Sequence, residues 1–245
     1  MVKINLFVDR EINLLTVFYQ SSKEQSKFED LNLKFGNLDK NERKNIKEIL
    51  KNRENIALEI DKYSKIREIY NLNMTAWLEY WIKNEGKITE IKNYLENKLK
   101  NFDMACFKKA CDFFDFELIK EIDICICMGN NGQFGTGNTF NSSICTLFPR
   151  KFENYTEKTL ESDFAVMIHE IVHTFQKEIY SKEEREFIEA VTRAFAPRGI
   201  LINREKCDKG SLEELMIPII DKAILEGKTY FDVREELIEV YNKHK

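Results

Sequence analysis

Three histidines occur in the 245-residue chain, and two of them bracket a glutamate in the run His169-Glu170-Ile171-Val172-His173. On a helix, residues four apart share one face, one turn above the other. Two imidazole nitrogens at that spacing can reach one zinc ion at ~2.0–2.1 Å each. Glu170 is turned ~100° from His169, which puts it beside such an ion rather than on it. There it can take a proton from an attacking water. Zinc lowers the pKa of that water toward ~7 and polarises a carbonyl, so these residue types at this spacing suit hydrolysis at neutral pH. The flanking residues Phe164, Ala165, Val166, Met167, Ile168, Ile171, Val172 and Phe175 are apolar. Two imidazoles in an apolar helix without a shared partner are costly polar burial. The competing reading, two satisfied core histidines and a surface glutamate, stands against this one because the pattern also arises by chance.

One zinc needs a third ligand. No histidine fills the last position of the longer His-Glu-x-x-His-x-x-Gly-x-x-His form, and His244 reads as a tail residue. The acidic candidates are Glu183, Glu184, Glu186 and Glu189. Ser181 and Glu184 have the spacing of a capping box, which engages Glu184. Glu189 stands 16 residues after His173, about two turns into the next helix, and a tight return near Ser181 brings it level with the metal. Phe187, Ile188, Val191, Ala194 and Phe195 form an apolar face roughly opposite Glu189. Either that helix is sandwiched with Glu189 toward the metal, or Glu186 is the ligand, or no acidic residue is. Tyr180, Arg193, Tyr230 and Tyr241 are candidate donors to a tetrahedral oxyanion, and the sequence does not choose among them.

The elements that must position these residues follow from periodicity. Residues 2–8 read as a short strand, and Asp9 can cap a helix running to about Gln20. Residues 21–37 are polar and irregular. Helical patterns occupy roughly 39–53, 54–71, 74–84 and 88–115, with Asn73 and Gly86 as breaks and Thr89-Glu90 opening the last. Trp77, Tyr80, Trp81 and Tyr94 recur at helical spacing and read as packing residues. Leu118 to Met128 reads as a strand with Ile122, Ile124 and Ile126 on one face and Asp123, Cys125 and Cys127 on the other. Residues 129–138 carry four of the nine glycines and read as a loop rimming a cleft. They match neither a phosphate loop nor a dinucleotide fingerprint. A second strand covers about 143–148. Ser162 or Asp163 can cap a helix reaching about Tyr180, a further helix ends before Pro197, and helices over 211–227 and 230–243 close the chain. Helices, a small sheet, then helices make an α+β protein.

Length and composition bound the rest. The chain fits one domain over 1–245, with a mainly helical N-terminal lobe over about 1–117 and a catalytic half over about 118–245. Nine glycines and three prolines leave little room for flexible linkers. The formal net charge of −4 is spread along the chain, so no basic footprint for nucleic acid exists. The N-terminus lacks the apolar stretch of a signal peptide, and no run approaches the ~20 apolar residues of a membrane span. Six cysteines occur without a Cys-x-x-Cys pair, which reads as free thiols in a reducing cytoplasm rather than disulfides or a zinc knuckle.

The segments His169-Glu170-Ile171-Val172-His173-Thr174 and Glu189-Ala190-Val191-Thr192-Arg193 resemble the paired elements of the gluzincin group of zinc metallopeptidases. The resemblance covers about residues 118–197, and the step from His173 to Glu189 is short for the group. It implies a zincin-like catalytic half made of a small sheet and an active-site helix. It also implies zinc ligands His169, His173 and Glu189, with Glu170 as general base. The strand 143–148 would then be the sheet edge above the active-site helix, where an extended peptide adds as another strand. The expected function is zinc-dependent hydrolysis of a peptide or protein, with one Zn2+ per chain. The rivals are a zincin-like protein that only binds a peptide or partner, and an effector-type protease acting on one protein.

Overall fold

The computed structural model describes residues 3–21, 38–52, 55–117, 121–127, 134–141, 144–148, 156–176, 179, 183–202 and 209–244. Strand β1 (Lys3–Phe7) leads into helix α1 (Arg10–Ser21), where the Asp9 carboxylate accepts the Ile12 amide at 2.7 Å as an N-cap. Asp39 and Glu42 form a reciprocal capping box at the start of α2 (Lys40–Lys51). The short α3 (Ile56–Asp61) follows, then α4 (Ser64–Lys100) and α5 (Ala105–Phe113). Strands β2 (Glu121–Ile126), β3 (Phe134–Asn141) and β4 (Ile144–Phe148) come next. Helices α6 (Glu157–Phe175), α7 (Arg185–Phe195), α8 (Leu212–Leu225) and α9 (Tyr230–His244) complete a mainly helical α+β architecture.

The four strands form one mixed sheet in the order β1-β2-β4-β3. β1 pairs in parallel with β2 (Lys3 opposite Glu121, Leu6 opposite Ile124), and β2 in parallel with β4. β3 runs antiparallel to β4 and occupies an edge of the sheet. A strand inside a parallel arrangement is covered on both faces. Accordingly Ile122, Ile124, Cys125, Ile126 and Cys127 are all buried, with Asp123 partly exposed and Glu121 exposed at the strand's start, so β2 is covered on both faces. Buried side chains from Leu6 to Tyr241 join in a single core cluster. Cys106, Cys111, Cys125 and Cys127 are free thiols, and burial pushes the Cys111 thiol up to about 12. Among the described residues, no helix is long and apolar enough to cross a membrane.

Several elements differ from the sequence reading. The helices expected over roughly 54–71, 74–84 and 88–115 are instead α3, the 37-residue α4, in which Asn73 and Gly86 are interior residues, and α5. The buried side chains Ile66, Ile69, Asn73, Trp77, Trp81, Asn84, Ile88, Ile91 and Leu95 recur every three or four residues, giving the apolar stripe that overrides two local breakers. The buried amides of Asn73 and Asn84 donate to the carbonyls of Ile69 and Tyr80 one turn back, at 2.7 and 2.8 Å. Trp77 stacks on Tyr80, with ring centroids 5.7 Å apart, as expected of packing residues. Half of the glycine-bearing segment read as a loop is strand β3, whose hydrogen bonds to β4 replace the missing side-chain propensity. The strand at 144–148 is therefore interior, and 134–141 is the edge. Residues 21–37, expected to be irregular, lie outside the described residues except for Ser21 and fall between α1 and α2.

Candidate metal centre

Helix α6 carries the histidine pair, and its start lies earlier than expected. Thr156 caps it, accepting the Thr159 amide at 3.3 Å while the Thr159 hydroxyl accepts the Thr156 amide at 2.8 Å. Asp163, expected at the cap, is a buried residue in the second turn. The last two turns of α6 are buried nearly all round, which fixes the direction in which His169 and His173 point.

Each imidazole is oriented by a hydrogen bond at Nδ1. His169 Nδ1 lies 2.9 Å from the Ala196 carbonyl oxygen, an atom that only accepts, so Nδ1 carries a proton and, in the neutral ring, Nε2 keeps its lone pair. His173 Nδ1 lies 2.9 Å from Gln176 Oε1, which also accepts from the Thr192 hydroxyl at 2.9 Å. The two Nε2 atoms then face each other at 3.1 Å. Glu189 Oε2 completes the triangle, 3.4 Å from His169 Nε2 and 3.5 Å from His173 Nε2. Three electron-pair donors at such separations repel one another unless a positive charge sits among them. Ligand atoms ~2.0–2.1 Å from a tetrahedral zinc stand ~3.3–3.4 Å apart. The donor set of two imidazole nitrogens and one carboxylate oxygen therefore fits that ion in chemistry and in spacing.

Helix α7 brings Glu189 into place because it is covered on both sides. Phe187, Ile188, Val191, Ala194 and Phe195 are buried, and so are Ala190 and Thr192, the latter with its hydroxyl 3.3 Å from His173 Nδ1. Of the three arrangements the sequence left open, the packing of this helix is the sandwiched one. Glu186 points elsewhere, with its Oε2 3.5 Å from the Tyr241 hydroxyl. Glu184 is the N-cap residue of α7 but its side chain caps nothing; it accepts from Tyr241 at 3.1 Å instead. The expected partner in that capping box, Ser181, lies outside the described residues, as does Tyr180. Glu183 accepts from Arg234 at 2.5 Å.

Glu170 is buried, 8 % exposed, and ligand atoms of His169, Glu170 and His173 lie within 4.8 Å of one another. Two carboxylates thus approach the imidazoles, Glu170 and Glu189. The electrostatics of the metal-free cluster favour positive charge on the imidazole. Burial opposes a charged His169, but the Glu189 hydrogen bond and the Glu170 charge outweigh it and hold its pKa above the ordinary imidazole value. Burial likewise opposes ionised Glu189, yet the two imidazoles hold its carboxyl well below the usual carboxylate range.

A cleft of about 730 Å³ opens on the outer side of Glu189, lined by Glu186, Arg193, Ser211, Tyr241 and His244 among others. His244, read as a tail residue, ends α9 and lines this cleft. Of the candidate oxyanion donors, Arg193 and Tyr241 border it, whereas Tyr230 is packed in the core against Phe113 and Phe114. The orienting partners Gln176, Thr192 and Ala196 had gone unread. Gln176 stands three residues after His173 and Thr192 three after Glu189, on the same helical faces, and that spacing was a usable signal. Ala196 acts through its backbone, which carries no residue-type signal. No protein-family model matches the chain, and neither does any curated protein or solved structure.

Proposed function

We propose that the chain is a zinc-dependent hydrolase acting on peptide or other amide bonds, with a zincin-like catalytic half. The observation that carries this reading is the triangle of lone pairs from His169, His173 and Glu189, with sides of 3.1, 3.4 and 3.5 Å. The helix bearing the histidines follows a sheet with an antiparallel edge strand, which suits an extended peptide chain. One zinc per chain supplies a polarised water of lowered pKa and a positive charge beside the carbonyl. The residues do the remaining work. His169 and His173 present Nε2 in one fixed tautomer, held by Ala196 and Gln176. Glu189 balances the charge. Glu170, on the same turn and not a ligand, takes a proton from the attacking water and delivers it to the leaving amine.

The test begins with metal content. Protein purified without a metal-affinity tag is expected to hold about one zinc per chain by plasma mass spectrometry, and the His169→Ala variant to hold none. With zinc in place, Glu170→Gln is expected to lower hydrolysis of a peptide library by about 10²–10⁴-fold while metal content stays unchanged. Metal-free protein that takes up no zinc sinks the reading. Zinc without hydrolysis in either protein would leave a peptide- or partner-binding site instead.

A further inference from the structure

Glu213, on α8, is 4 % exposed and plays no part in the site as described so far. Its two oxygens are divided between two guanidinium groups. Arg193 Nε donates to Oε1 at 2.5 Å, and Arg198 Nη1 donates to Oε2 at 3.1 Å. These arginines stand on either side of Ala196, the residue whose carbonyl accepts from His169 Nδ1. The intervening chain is wound tightly on the end of α7. The Arg198 amide donates to the Arg193 carbonyl at 3.1 Å, Ile200 to Ala194 at 3.0 Å and Leu201 to Phe195 at 2.8 Å. Gly199 is pressed so close to that end that a Cβ there would lie 2.0 Å from the Ala194 oxygen.

A carboxylate buried to this degree is costly unless it is paired on both oxygens. Removing it would leave two guanidinium charges facing each other across the turn. We infer that Glu213 is a positioning residue for His169. By clamping Arg193 and Arg198 from the neighbouring helix, it fixes the Ala196 carbonyl that keeps the His169 proton on Nδ1 and aims Nε2 at His173 and Glu189. The hydrogen bond belongs to the chain itself; only the consequence for zinc affinity rests on the proposed function.

The test reads the imidazole directly. Long-range proton–nitrogen spectra of the full, metal-free chain are recorded at alkaline pH, where the imidazoles are neutral, together with zinc titrations. In the wild type His169 is expected as a single tautomer protonated at Nδ1. Glu213→Gln and Arg198→Met are expected to shift it to a mixture of tautomers while His173, held by Gln176, keeps its own. Zinc Kd is expected to rise about tenfold. Ile220→Val, which loosens the same helix from within the core, is expected to lower thermal stability without moving either readout. If Glu213→Gln fails to fold, Arg198→Met removes one arm only and carries the test. An unchanged His169 signal and Kd in the folded variants would overturn the inference and leave Glu213 as a tie between helices. A His169 signal that moves in a chain that takes up no zinc would keep the positioning role and remove the metal.

Discussion

Glu186 and Glu189 stand three residues apart on α7, yet their carboxylates face different partners: a tyrosine hydroxyl for the first, two imidazoles for the second. Glu189→Gln is therefore expected to weaken zinc binding by orders of magnitude and Glu186→Gln to leave it within about twofold, by competition titration with a chelator of known affinity. Without metal, the same cluster makes stability depend on pH. A pKa raised at His169 contributes stability that is present below about pH 6.5 and lost as pH rises past its folded value. A pKa lowered at Glu189 contributes stability present above about pH 4.3 and lost as pH falls. In the presence of chelator, the advantage of the wild type over Glu189→Gln in urea midpoint is expected to peak between those values and to shrink on both sides. A flat difference would mean the three groups do not share charge. At this scale the sequence was informative where one helix sets the geometry: His169, Glu170 and His173 are placed by 3.6-residue periodicity alone. Glu189 depended on how α7 returns against α6, and spacing along the chain bounds that angle without determining it.

Elements were legible where their signals were local and agreed with one another. Strand β1 and the helices α2, α8 and α9 came from periodicity. The errors at α4 and β3 share a cause: tertiary packing outweighs a local preference of about 1 kcal/mol. Asn73 and Gly86 both favour ending a helix, but the stripe from Ile66 to Leu95 stabilises α4 through them. The start of α6 was placed late because its reciprocal cap has Thr159 where the familiar pattern has Glu or Gln. Strand β3 was missed because its glycines gain order from β4 and not from their own propensity. The uninterrupted α4 has a measurable corollary. A Cβ at Gly86 meets nothing within 4 Å, so Gly86→Ala is expected to stabilise by about 0.5–1 kcal/mol in denaturant unfolding. Trp77→Ala, on the stripe, is expected to cost about 3–5 kcal/mol. Loss of stability on Gly86→Ala would mean the helix is broken there after all.

For the whole molecule, a single buried cluster joins both halves of the chain, and the sheet crosses the boundary near residue 118 that composition suggests. One cooperative thermal transition is expected in consequence. A ligand that binds only the folded chain adds about 2.7 kcal/mol when present at 100 times its Kd. For a protein of this length zinc is expected to raise Tm by roughly 5–10 °C, and to leave the His169→Ala variant unmoved. A shift of the same size in that variant would place the ion elsewhere. The pairing of β1 with β2 bears on how the protein is made. Lys3 meets Glu121, a partner 118 residues further along the chain. At ribosomal speeds of ~5–20 residues per second, β1 emerges roughly 6–24 s before the strand it pairs with. During that interval its backbone donors and acceptors have no sheet to join, so synthesis rate and chaperone supply, more than final stability, are expected to govern how much chain escapes aggregation.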